Sequence, residues 1–419
     1  MDRKIQTSLI TKTLAVAITA AMASTVQAAS TEQQQIQELR QEVQALKALI
    51  QQQQQVQQQQ QVQIQQVQAQ PAPAAKSASP FSLKSKGGAE VNLYGFVRGD
   101  ANYIVEGADN DFNSVHTSTG AAKDKLRATP KTTRLGLDFS SPVGDRKVGG
   151  KIEVDFAGTN DALRIRHAYL TLDNWLLGQT TSNFLSNHAP EMIDFGTNVG
   201  GGTTRIPQVR YSHKLAPATQ LLVSAEEGNS SATGSDVTYR VPTVTAKLTQ
   251  GFAEGKGAAS ARALVEHYKA ESGDDKTGWG VAAGAHYQVA EPLKVSADVS
   301  YVQGNSNYLY GANTAFVEGA NGDIEQNEFT AFQVGATYKF APNLRSTLGY
   351  GAIFADDGTD YAALNEDANK EVYQAWLNFI YSPVKPVDLG IEYINGERET
   401  FAGNKFKDNR FGLMARYNF

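Results

Sequence analysis

Nine arginines of this 419-residue chain stand at alternate positions of strand-like segments, opposite apolar neighbours: Arg98, Arg134, Arg164, Arg166, Arg210, Arg262, Arg345, Arg410 and Arg416. A guanidinium is permanently charged, and its forked donors match a carboxylate through two hydrogen bonds. Several of them on one wet surface attract small anions and repel cations. Asp138, Glu153, Asp155, Glu266 and Asp298 fall on the same faces, so some arginines must pair with acids and the rest meet solutes. Any single arginine is as readily a structural ion pair as a solute contact. The set predicts anion preference, with Arg98, Arg134, Arg164, Arg166, Arg210, Arg262 and Arg345 as the wall residues.

A second group lies between two strand-like segments. The stretch from Ser182 to Thr204 is longer than a connection needs and carries His188, Glu191 and Asp194 ahead of Gly200-Gly201-Gly202. It is the candidate loop for narrowing a channel, with an ordinary surface loop as the alternative. Covalent and metal chemistry find little support. There is no Cys, the six His are scattered, and no Gly-x-Ser-x-Gly occurs. No enzyme, metal site or cofactor is expected. A net charge of −5 gives no footprint for nucleic acid.

These side chains need elements with a period of two. Phe411, Leu413, Ala415, Tyr417 and Phe419 alternate with Arg410, Gly412, Met414, Arg416 and Asn418, which places one apolar and one polar face on a strand. Leu135, Leu137 and Phe139 alternate with Arg134, Gly136 and Asp138, and Val148 to Phe156 returns after a tight turn. On the fourth strand Arg164, Arg166 and Ala168 are expected on one face, with Ile165, His167 and Tyr169 on the other. Short turns such as Ala341-Pro342-Asn343 take turns with long polar loops such as 304–327. Alternating strands, short turns at one rim and long loops at the other predict an all-β, antiparallel transmembrane β-barrel of about 16 strands. A barrel of that width leaves an aqueous channel, so its inward faces are expected to be polar throughout.

Ahead of the barrel the texture differs. Arg3, Lys4 and Lys12 precede an apolar run and Val26-Gln27-Ala28, the pattern of a signal peptide spanning 1–28. Ile36, Leu39, Val43, Leu46 and Ile50 follow a heptad seam. A short α-helical coiled coil with a Gln-rich extension is expected over 29–70, or else a disordered tether. An exposed seam would need partner helices. Residues 71–89 read as a Pro/Ala-rich linker, and 90–419 as the barrel. The terminal Phe419 with its alternate apolar positions has the form of the signal read by the barrel-assembly machinery.

The heptads, the Pro/Ala linker, Leu93-Tyr-Gly-Phe-Val-Arg-Gly-Asp-Ala-Asn-Tyr103, Arg164-Ile-Arg-His-Ala-Tyr169, Gly178-Gln179, Arg205-Ile-Pro-Gln-Val-Arg-Tyr211 and Val241-Pro242 resemble DcaP-type porins. That resemblance implies a homotrimer of 16-stranded barrels in the bacterial outer-membrane lipid, with the N-terminal segment in the periplasm. It also implies diffusion of dicarboxylates and similar anions. A general non-specific porin and a structural, envelope-tethering barrel are the alternatives.

Overall fold

The computed structural model describes residues 82–84, 87–194 and 199–419. The expected signal peptide and coiled coil lie outside the described residues. Sixteen strands form the wall. The first half comprises β1 (Glu90–Gly107), β2 (Ala122–Thr129 continued by Arg134–Val143), β3 (Arg146–Asp155), β4 (Arg164–Leu172), β5 (Trp175–Thr181), β6 (Arg205–Ala216), β7 (Thr219–Glu226) and β8 (Thr243–Phe252). The second comprises β9 (Gly257–Lys269), β10 (Asp275–Ala290), β11 (Leu293–Gln303), β12 (Glu328–Ala341), β13 (Leu344–Ala355), β14 (Asn369–Tyr381), β15 (Val387–Thr400) and β16 (Lys405–Asn418). Each pairs antiparallel with the next, and β1 closes the ring on β16, from Phe96 opposite Asn418 to Ile104 opposite Arg410. At the seam Phe419 and Gly95 exchange backbone hydrogen bonds of 3.0 and 3.1 Å. Beyond them Ser82–Lys84, inside the stretch read as linker, pairs with Glu90–Asn92. Closure leaves no free edge around the ring, which a lipid-embedded sheet requires.

The outward face is apolar, with Leu413, Val265, Val281 and Leu348 each about half exposed. Aromatics gather at its two borders. Trp279 meets Tyr301 at 5.4 Å near the long-loop rim, and Tyr287 stacks on Phe252 at 6.0 Å near the short-turn rim. Trp279 and Tyr287 are eight residues apart on β10; at about 3.4 Å per residue and a tilt of about 40° they stand roughly 20 Å apart along the barrel axis. That height suits the apolar band of an outer-membrane barrel, about 25 Å.

Three features depart from the alternation. A bulge between Glu153 and Val154 in the β3–β4 register turns His167 inward beside Arg166, and Ala168 moves to the outer face. β7 carries no clean alternation because Leu222 stands inward, opposite Lys247, so this strand is invisible to the pattern. The inward faces are also not polar throughout. Leu264, Val302, Phe329, Ile353 and Val372 point inward near the long-loop rim and form one buried cluster with Val115, Phe184, Leu185, Val199, Tyr308 and Leu309. Those partners come from the loops 108–121, 182–204 and 304–327, which fold back into the barrel mouth. Burial of apolar surface at about 25 cal/mol per Å² holds the loops there.

Candidate functional site

The third loop, 182–204, is bound to the inner wall along most of its described length. Its start is fixed by Asn183, whose N–H donates to Glu226 Oε1 (3.2 Å) and whose side chain reaches Ser224 (2.6 Å). Ser186 donates to Asp298 (2.6 Å), while Arg262 bridges Asp298 (2.6 Å) and the Phe184 carbonyl (3.1 Å). His188 meets His286 Nδ1 to Nδ1 at 2.9 Å and Ser260 through Nε2 at 3.0 Å. Glu191 accepts both donors of Arg345 at 2.8 Å, and its carbonyl accepts from Trp376 (3.0 Å) and Asn378 (3.1 Å). Farther on, Glu392 receives the N–H groups of Ile193 (2.8 Å) and Asp194 (2.7 Å), and Arg98 donates to the Ile193 carbonyl (2.5 Å).

Glycines in the wall make room for this path. A methyl group at Gly351 would overlap the Val199 carbonyl oxygen, and one at Gly335 would come within 2.5 Å of Pro190. The loop thus lies in a bed cut into β12 and β13, and its backbone polar groups are satisfied by buried wall side chains. Asp194 completes the path by accepting the Asn113 N–H (2.8 Å), which joins the third loop to the first.

The facing wall, β2 to β6, is built differently. Arg166 bridges Glu153 (2.7 Å) and Asp155 (2.9 Å), Arg164 takes Asp155 through two donors (2.9 and 2.7 Å), and Arg134 stands 3.5 Å from Glu153. Arg205, at the start of β6, faces the same three guanidiniums and Glu153. Its Nε is buried without a hydrogen-bond partner. The cluster therefore sets four guanidiniums against two carboxylates. Tyr94 donates to Glu153 (2.8 Å) and Phe96 lies under Arg134, with 4.9 Å from ring centre to guanidinium carbon. Arg416 approaches the same ring at 5.6 Å while pairing with Asp388 (2.6 Å). A ring between two cations holds both in register through its negative faces.

A family model described as DcaP outer membrane protein matches residues 15–419. The chain belongs to that family. The outer membrane channel DcaP of Acinetobacter baumannii is similar at 67% identity, with 80% of this chain and 99% of that chain covered and a TM-score of 0.79. More distant likenesses include the anion-selective porin from Comamonas acidovorans (14% identity, 79% and 100% covered, TM-score 0.55). Salmonella typhi OmpF in complex with daunomycin is similar at 14% identity (81% and 100% covered, TM-score 0.56). Those two share the fold alone. No curated protein matches the chain. This member of the DcaP family is an outer-membrane barrel of the porin type.

Within this DcaP-family barrel six of the seven wall arginines part into two sets of three, and Arg210 stands apart. Arg134, Arg164 and Arg166 come together in the cluster. Arg98, Arg262 and Arg345 fasten the third loop instead, each on a carboxylate and the first two also on loop carbonyls: Arg98, on β1 beside the cluster, on Asp100 (2.6 Å), Arg262 on Asp298, Arg345 on Glu191. Arg210 is held by Gln208 (3.0 Å) and the Thr181 carbonyl. Arg410 pairs with Asp408 (2.9 Å) and binds the carbonyls of Ala108 and Asn110 in the first loop. Sequence reading passed over Arg205 because strand parity from Ile206 and Gln208 sets it on the outer face. It stands at the first position of β6, opposite Thr181, and its guanidinium nevertheless reaches the charges of the cluster. The roles of Tyr94 and Phe96 depend on Glu153 and Arg134, which are distant in sequence.

Proposed function

We propose that this porin is an anion-preferring, water-filled diffusion channel for small organic acids, dicarboxylates in particular. The observation that carries the reading is the charge of the β2–β6 wall: Arg134, Arg164, Arg166 and Arg205 against Glu153 and Asp155 leave two positive charges in excess. Arg205 has no carboxylate of its own among the described residues. With the third loop pinned to the far wall, solutes are steered past this cluster. A dianion exchanges part of its water for guanidinium contacts and leaves because no site encloses it. Passage runs down the concentration gradient and uses no cofactor.

Assembly belongs to the same proposal. Ile36, Leu39, Val43, Leu46 and Ile50 would pack as a coiled coil on the periplasmic side and hold three barrels together, after removal of residues 1–28. One barrel of this fold, OmpT of Vibrio cholerae, is described in a trimer form. Phe419 would present the terminal strand to the assembly machinery.

Planar-bilayer recording tests the reading. Under a salt gradient the reversal potential should point to the anion, succinate should block the current saturably, and closure should come in three steps. A cation-directed reversal potential without succinate block would refute anion preference and leave a general porin.

A further inference from the structure

The barrel's outer face carries an array that the channel does not use. Near the long-loop rim Thr238 stands opposite Lys269, and Lys269 opposite Asp275. In the next outward row His267 stands opposite Thr277, with Arg240 just past Tyr239 on the neighbouring segment. Thr238, Arg240, His267, Lys269 and Asp275, with Tyr268, line a shallow cleft. Glu266 and the Tyr268 ring are turned into the barrel and buried, so the cleft opens away from the pore.

Its level decides what it meets. The outward row below is Val265 opposite Trp279, and Trp279 belongs to the upper aromatic border through Tyr301. Aromatic girdles mark the interface between hydrocarbon and headgroups. The cleft therefore stands at headgroup height on the side of the long loops, which face the exterior in barrels of this type. Its charges are unbalanced. Asp275 lies 3.4 Å from His267 Nε2, whereas Arg240 and Lys269 have no carboxylate partner among the described residues. Below it, Val244, Val265 and Val281, each about half exposed, continue as a track for an acyl chain.

We propose that this cleft binds a phosphate group on the headgroup of an outer-leaflet lipid. The Arg240 fork donates to two phosphate oxygens, Lys269 adds a compact positive charge, and the valine and tryptophan rows below take the chain. A lipid satisfies both halves of the surface; a free anion satisfies only the upper one.

The test uses the purified full chain in detergent, titrated with bisphosphorylated lipid A and with the same lipid stripped of both phosphates, and read by native mass spectrometry. The wild type should prefer the phosphorylated form. Removing both charges in the double variant Arg240→Gln, Lys269→Gln should weaken binding about 30-fold, at about fivefold for each charge at a lipid surface. Arg240→Gln alone, at an exposed bend, should lose about fivefold and serves if the double variant does not fold. Lys147→Gln, an exposed base at the opposite rim, should leave binding unchanged. Equal retention by the Arg240 and Lys269 variants, or equal binding of the stripped lipid, overturns the proposal. Displacement of the lipid by equimolar inorganic phosphate also overturns it, since the cleft would then be a free-anion site.

Discussion

Replacing Arg205 isolates the charge of the cluster from its scaffolding. Arg134, Arg164 and Arg166 each hold Glu153 or Asp155, so truncating any of them removes a carboxylate's partner along with a charge. Arg205 leaves none behind. Arg205→Gln takes the local excess from two charges to one, and Arg205→Glu takes it to zero. A carboxylate passing about 5 Å from the guanidinium in water gains about 0.8 kcal/mol per unit charge, reduced to about 0.5 kcal/mol by screening at 0.1 M salt. For a dianion this doubles to about 1 kcal/mol, or roughly fivefold in apparent affinity per charge removed. The expected result is succinate block weakened about fivefold in Arg205→Gln and about 30-fold in Arg205→Glu, with the anion-to-cation permeability ratio falling in the same order. Titration of the open-channel current in planar bilayers, with reversal potentials at fixed salt gradient, reads both. Unchanged block and reversal potential in both variants, with wild-type conductance, would show that solutes do not pass this wall.

The bed of the third loop gives two further tests. Gly351→Ala forces a methyl group onto the Val199 carbonyl, an overpacking cost of about 1–3 kcal/mol, and should lower the thermal midpoint while narrowing the conductance. Glu191→Gln removes the ion pair to Arg345 but keeps the carbonyl contacts to Trp376 and Asn378. It should cost about 1 kcal/mol and appear as added open-channel noise rather than a lost channel. A pH test addresses the first loop. Burial, then the charge of Arg398, pushes His116 down to about 4 from its ordinary 6.5. The docked loop therefore holds neutral imidazole while the released loop takes a proton. Docking is fully supported above pH 6.5 and loses that support as pH falls toward 4, so current fluctuations should rise on acidification in the wild type and not in His116→Asn.

Much of the wall was legible because lipid and water impose a period of two. In β16, Phe411, Leu413 and Tyr417 face outward while Arg410, Met414 and Arg416 face inward, as the alternation required. The His167 side was misread because a bulge adds a residue that composition does not mark. Leu264 and Ile353 escaped for a different reason. An apolar residue inside a channel contradicts the rule unless something covers it, and the covering residues are distant in sequence: Leu185 joins the same buried cluster from 79 residues before Leu264 and 168 before Ile353. The arginines were recognisable as inward groups, yet only folding divides those that fasten loops from those that gather at Glu153 and Asp155.

The ring closure of β1 on β16 also constrains the order of events during assembly. Every other neighbour in the wall is the next strand in sequence, so fifteen of the sixteen pairings can form as local hairpins. Phe96 and Asn418, by contrast, are 322 residues apart, and joining such distant ends carries the largest loop-closure entropy in the molecule. Zipping first and sealing last is the cheapest sequence of steps. Until the seam seals, β1 and β16 both present open backbone edges, a template for pairing with any other strand. Substitutions at the seam should therefore register first in the yield of assembled barrels, and only afterwards in the properties of those that form.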